Sequence, residues 1–204
     1  MPEVTGSKER RGRARVSVDG EFWAELDANV AIEGGLREGA AFSWDELGAL
    51  RVAGERPLAM TRALNMLGYR ARSEGEIRTR LARHGYAPET LDAVVARLKE
   101  LSYLDDGQFA RQRAREKARK YGPRRVAADL LQSGVGREVA AEAVAEEFEG
   151  RSELEDARSA AARRYNGVGS EAEARRVYGF LARRGYSAGV CAEVAREYWG
   201  RAQS

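Results

Sequence analysis

The chain has very little of what small-site chemistry usually needs. Cys191 is its single cysteine and His84 its single histidine. A disulfide framework cannot form within one chain, and a zinc site built on cysteine and histidine is excluded. His84 is the one candidate base for a serine or cysteine nucleophile, and beside Gly85 it is read as serving a helix C-terminus, so the familiar nucleophilic constellations are not expected. The chain also lacks a glycine-rich loop that opens a helix with a following lysine, so it has no cradle for a nucleotide phosphate. No stretch approaches the roughly 20 apolar residues of a membrane span. Residues 1–15 are polar and carry no apolar centre of the signal-peptide kind. These shortages point away from an enzyme, a metal protein and a membrane protein. They lead us to expect a cytoplasmic chain that needs neither metal nor cofactor.

Aromatic residues make up only 8% of the chain and proline appears four times, while 33% of residues are charged. Alanine, arginine, glutamate and leucine dominate, all good helix formers. A composition rich in helix formers and poor in bulky apolar side chains suits thin layers of amphipathic helices better than one thick core. The net charge of +3 conceals segregation. Between Phe109 and Val126 eight basic residues face one acid, Glu116. Between Glu138 and Asp156 eight acids face Arg151 alone. A chain polarised in this way can meet an anionic partner with one part and a basic surface with another.

The central stretch runs Tyr103-Leu104-Asp105-Asp106-Gly107-Gln108-Phe109-Ala110. Asp105 and Asp106 stand where a helix begins, since a carboxylate there accepts bonds from backbone N–H groups. Helix capping accounts for both more simply than cation binding does. Phe109, Ala110, Ala114, Ala118 and Tyr121 then recur at steps that mark one helix face. The other faces carry Arg111, Arg113, Arg115, Lys117, Arg119 and Lys120. Gly122-Pro123 ends that helix and starts another that brings Arg124 and Arg125.

A repeat surrounds this stretch. Ile77, Leu81, Gly85 and Tyr86 align with Val126, Leu130, Gly134 and Val135, and again with Val177, Leu181, Gly185 and Tyr186. Each copy has a helix with apolar residues four apart, a glycine suited to the left-handed position after it, and a further helix. A leading helix precedes each pair. Ser73 with Glu76 and Ser170 with Glu173 supply capping-box chemistry in the first and third copies. Periods of this length belong to arrays in which neighbouring units bury each other's faces. At the other end, two alternating runs flank Asp19-Gly20 and predict a hairpin with Val16, Val18, Phe22 and Leu26 facing inward. Asn29 is placed to cap a short helix, and Ser43 with Glu46 to open another.

The expected fold is therefore mostly α. Three tandem three-helix repeats form an elongated curved array with a small N-terminal β-hairpin/helix cap. Residues 1–12 are expected as a disordered lead, 13–54 as the cap, and 55–104, 105–150 and 151–204 as the repeats. His84, beside Gly85, is read as serving a helix C-terminus, and Cys191 as a small core residue. Among the arginines, Arg72 and Arg78 join the central run as candidate anion contacts, because a guanidinium bonds two phosphate oxygens at once. No aromatic platform interleaves with the basic run, so DNA contact should be weak, to the backbone and salt-sensitive.

These residues resemble the RecX family of recombination regulators. The resemblance rests on Tyr103-Leu104-Asp105-Asp106 with Phe109-Ala110, Gly122 with Arg125-Val126, Asp129-Leu130 and Gly134-Val135. It extends through Ala63-Leu64, Arg72-Ser73, Glu76-Ile77, Leu81 and Gly85-Tyr86, and covers roughly residues 57–150 closely. Ser102 stands where the family usually has glycine, and the third repeat has a longer leading loop at residues 166–169. A monomer is expected because no long apolar patch is left over; the resemblance implies a modulator of the RecA recombinase that lies in the groove of the RecA–single-stranded DNA filament. It would contact neighbouring protomers, block filament growth or favour its loss, and so lower ATP hydrolysis, strand exchange and repressor coproteolysis. Arg111, Arg115, Lys117 and Lys120 are the expected test set for contact with filament DNA or acidic RecA surface. Two alternatives stand beside this: a DNA-binding helical protein without sequence preference, and a structural adaptor for another partner.

Overall fold

The computed structural model describes residues 1–165 and 170–200, which hold three strands and ten helices. The expected leading loop at 166–169 lies outside the described residues. The chain divides after Asp105 into two compact units.

The first unit begins with an antiparallel sheet of β1 (Val4–Arg10), β2 (Arg13–Val18) and β3 (Glu21–Asp27). The disordered lead expected over residues 1–12 is thus corrected to a strand. Arg11 and Gly12 form its turn at φ 54° and 73°, as Asp19 and Gly20 form the expected one at 49° and 85°. Both are two-residue turns of the kind that match strand twist. Arg-Gly is a weaker signal than Asp-Gly, and β1 alternates only at its start, so the strand was hidden. Phe22 is a second correction. It is 55% exposed, with the Arg15 guanidinium 4.7 Å over its ring. Ser17 pairs with Phe22 but Val16 pairs with Ala24, so one residue is inserted at Trp23. That bulge reverses the alternation and puts Ala24 and Leu26, not Phe22, on the buried face with Val16 and Val18.

Helix α1 (Ala28–Glu33) is capped by Asp27, which accepts from the N–H groups of Asn29 and Val30, and not by Asn29. Ser43 and Glu46 form the expected capping box at the start of α2 (Trp44–Tyr69). That helix continues past Leu50 and Pro57 to Tyr69, so the division between residues 54 and 55 falls inside one helix. An interior proline costs about 3 kcal/mol, and burial on both sides of it offsets that. Leu47 packs under the sheet, while Ala59 and Ala63 pack into the first repeat. Glu55 fastens the two. It is only 2% exposed and accepts from Arg51 Nε (2.7 Å), the Ala87 N–H (2.8 Å) and Thr90 Oγ1 (2.8 Å). The C-terminal half of α2 joins α3 (Glu74–Ala82) and α4 (Pro88–Glu100) around Ile77, Leu81, Val94 and Leu98.

The second unit holds the other two three-helix repeats. Helices α5 (Asp106–Ala118), α6 (Pro123–Gln132) and α7 (Arg137–Phe148) make one. Helices α8 (Glu153–Ala162), α9 (Glu171–Arg184) and α10 (Ala188–Gly200) make the other. The aligned pairs Ile77/Leu81, Val126/Leu130 and Val177/Leu181 are all fully buried, each at the centre of its own cluster. Each such side chain contributes about 1.5–3 kcal/mol on burial. Gly85, Gly134 and Gly185 take φ of 82°, 79° and 84°, the left-handed turn the pattern requires. Cys191 is buried with them and its thiol donates to the Tyr186 carbonyl. Desolvation pushes that thiol's pKa up, which keeps it unreactive. No helix among the described residues is long and apolar enough to cross a membrane.

Candidate nucleic-acid and partner interface

Helix α5 is positioned by its apolar seam. Phe109, Ala110 and Ala114 are buried in the second repeat, and Ala118 beside them at the end of the helix. Small seam residues let the helix lie close to its neighbours and leave its cationic flanks outside. Of those cations, Arg113 and Lys117 do not face solvent freely. Both reach across to Asp129 on α6, at 2.7 Å and 2.9 Å. Partial burial opposes ionisation of Asp129, yet hydrogen bonds from Lys117 and Arg113 and their charge hold its carboxyl below the usual range. Lys117 also lies 5.7 Å over the Tyr121 ring.

Arg111, Arg115, Arg119, Lys120, Arg124 and Arg125 are exposed, with no acid within ion-pair reach among the described residues. Arg111 and Arg115 fall four apart on one stripe of the helix, and Arg119 follows four residues on in the turn after it. Arg72 and Arg78 belong to the first unit and are held there. Arg72 is 8% exposed and donates from Nε to the Met66 carbonyl, with Glu76 only at 3.9 Å. Burial pulls its pKa down. Arg78 is bound by Glu74 and Asp92, both at 2.6 Å.

The motif residues serve structure. Leu104 is buried in the first repeat's core while Tyr103 is largely exposed, and α5 starts at Asp106 directly after Asp105. Ser102 takes φ 57°, which explains why glycine suits that position. Gly122 does more than stop a helix. Its N–H donates to the Arg184 carbonyl (2.8 Å), and the Arg124 N–H donates to the Gly185 carbonyl (3.2 Å). A Cβ on Gly122 would sit 2.8 Å from the Gly185 oxygen. The second and third repeats are therefore joined backbone to backbone. Nothing in the local sequence signals this, because the partner lies some sixty residues on.

The acidic segment is partly consumed internally. Glu147 and Asp156 bind Arg151, Glu155 binds Arg158, and Glu153 accepts from the Ser187 N–H. Glu138, Glu142 and Glu146 remain exposed along α7, again four apart. His84 is exposed, with Arg62 Nη1 3.0 Å from its Nε2.

Comparison with known proteins places this architecture. The models of the first and second three-helix domains of RecX match residues 59–98 and 105–144. A regulatory protein RecX of Amycolatopsis mediterranei is 35% identical over 138 residues, which span 65% of this chain and 78% of that protein. The chain belongs to the RecX family. A RecX of Lactobacillus johnsonii is 31% identical over 143 residues, 68% of this chain. The match spans only 53% of that protein, so the chain covers about half the length of this relative. A crystal structure of a regulatory protein RecX superposes with a TM-score of 0.62 at 22% identity, covering 97% of this chain and all of the other. RecX from Lactobacillus salivarius gives 0.60 at 19% identity over 74% of this chain and 97% of that one. At these identities both likenesses bear on the fold alone. The family membership and the helical repeats fit a regulatory protein.

Proposed function

We propose that this chain regulates a RecA recombinase by binding the RecA–single-stranded DNA filament in its groove and blocking filament extension. ATP hydrolysis, strand exchange and coprotease activity fall as a consequence. The observation that supports this most is the polarity of the second repeat. Six exposed basic residues, two on α5, two in the turn after it and two on α6, have no acidic partner among the described residues, and α7 carries an exposed acidic stripe. A filament of acidic and basic protein surface wound on DNA is a target such a module can engage on both sides. In this reading the chain works in the cytoplasm, as a monomer and without a cofactor, and the repeats at 55–104, 105–150 and 151–204 contact neighbouring RecA protomers. Lys117 leaves the expected contact set because Asp129 occupies it. The test is a quadruple substitution of Arg111, Arg115, Arg119 and Lys120 to alanine, assayed for inhibition of RecA ATP hydrolysis on single-stranded DNA. The variant should fold as the parent does and inhibit at least tenfold less well; undiminished inhibition would sink the assignment. The same exposed cations favour a second reading, a DNA-binding protein whose effect needs no RecA. It requires affinity for free DNA that falls steeply with salt, with no effect at low ratios to RecA.

A further inference from the structure

The junction of the second and third repeats holds a feature that the family reading does not assign. Two clefts open there, and Tyr186 lines both. The first, of about 370 Å³, is edged by Arg119, Lys120, Arg163 and Arg184. Its one acid among the described residues, Asp156, is already bound by Arg151 at 2.8 Å. Arg184 is held in place before any ligand arrives. Its guanidinium lies 4.5 Å over the Phe180 ring and donates from Nη1 to the Lys120 carbonyl at 2.9 Å. A guanidinium fixed on two sides loses little freedom on meeting an anion, and its remaining N–H groups match phosphate oxygens. The second cleft, of about 600 Å³, brings Arg124, Arg125 and Arg183 beside Tyr178, a residue 39% exposed. No acid lines it. An exposed aromatic ring among arginines offers a face for a base, while the neighbouring cations meet the chain of phosphates.

We infer that this junction binds a short segment of single-stranded nucleic acid, with phosphates in the Arg184 cleft and a base stacked on Tyr178. A duplex keeps its bases paired and stacked inside, so it can use the cations but not the ring. The site therefore prefers a single strand over a duplex of the same charge. This rests on the DNA-binding reading above and deepens it by naming the strand form and the ring that selects it; it does not depend on RecA.

The test uses the intact chain without RecA and a fluorescent oligothymidylate, read by anisotropy across a salt series. Loss of one stacked base corresponds to a drop of about tenfold in affinity. Tyr178→Ala should show that drop for the single strand, leave duplex binding near parent, and melt like the parent. Tyr178→Phe should restore parent affinity. Arg163→Ala with Arg183→Ala should flatten the slope of log affinity against log salt by about 1.4, from about 0.7 per lost phosphate contact. Parent-like binding by Tyr178→Ala would overturn the inference. So would displacement of the oligonucleotide by inorganic tripolyphosphate at equal phosphate concentration, which would make this a phosphate site only. Binding of polyglutamate in place of the oligonucleotide would overturn it in favour of an acidic protein surface. Because RecA is absent, failure here leaves the regulatory reading intact, and the reverse holds too.

Discussion

Gly85 and Gly185 occupy equivalent positions, with φ of 82° and 84°, yet their surroundings differ in a way that can be measured. A Cβ on Gly85 would meet nothing within 4 Å, whereas one on Gly185 would run into the Arg125 backbone. Alanine at either site must adopt the left-handed conformation, at about 1–2 kcal/mol. At Gly185 the collision adds the cost of overpacking, about 1–3 kcal/mol. It also strains the bond from the Arg124 N–H to the Gly185 carbonyl. Gly185→Ala should thus lose about 2–5 kcal/mol and Gly85→Ala about 1–2. In a unit of this size each kcal/mol moves the midpoint by about 4–8 °C. Urea and thermal unfolding followed by circular dichroism, each variant against the parent, would read both. Equal losses from the two substitutions would refute the claim that the second and third repeats are docked through these glycines.

Three further expectations follow from buried or paired charges. Glu55→Ala strips three donors of their shared acceptor and should cost about 3 kcal/mol, with Glu55→Gln milder, in urea unfolding. Asp129 has a depressed carboxyl pKa, so its pairing contributes stability above the ordinary aspartate range. That contribution should be lost as pH falls through and below the range, and a melting series in acid should be flatter for Asp129→Asn. Asp129→Asn also releases Arg113 and Lys117, so the salt dependence of DNA binding should steepen.

The repeat was legible because it is written in local chemistry. A glycine that must turn left-handed and apolar residues four apart fix three helices wherever they recur. Serine caps at Ser43, Ser73 and Ser170, each accepting from the N–H three residues on, were readable for the same reason, with the reciprocal glutamate bond formed at Ser43. What escaped was set by tertiary context. The bulge at Trp23 turned Phe22 outward, and packing on both sides carried α2 through Pro57. Burial withdrew Arg72 from the candidate surface, and Asp129 withdrew Arg113 and Lys117. Tyr178 joined the basic run from more than fifty residues away, which supplies the aromatic partner that the run itself lacks.

The most direct test of the central claim is ATP hydrolysis by the cognate RecA on single-stranded DNA, titrated with this chain well below RecA. Strong inhibition is expected at those substoichiometric amounts, from a protein acting on filament growth. Inhibition only once the DNA is saturated, or none at any ratio, would contradict that claim.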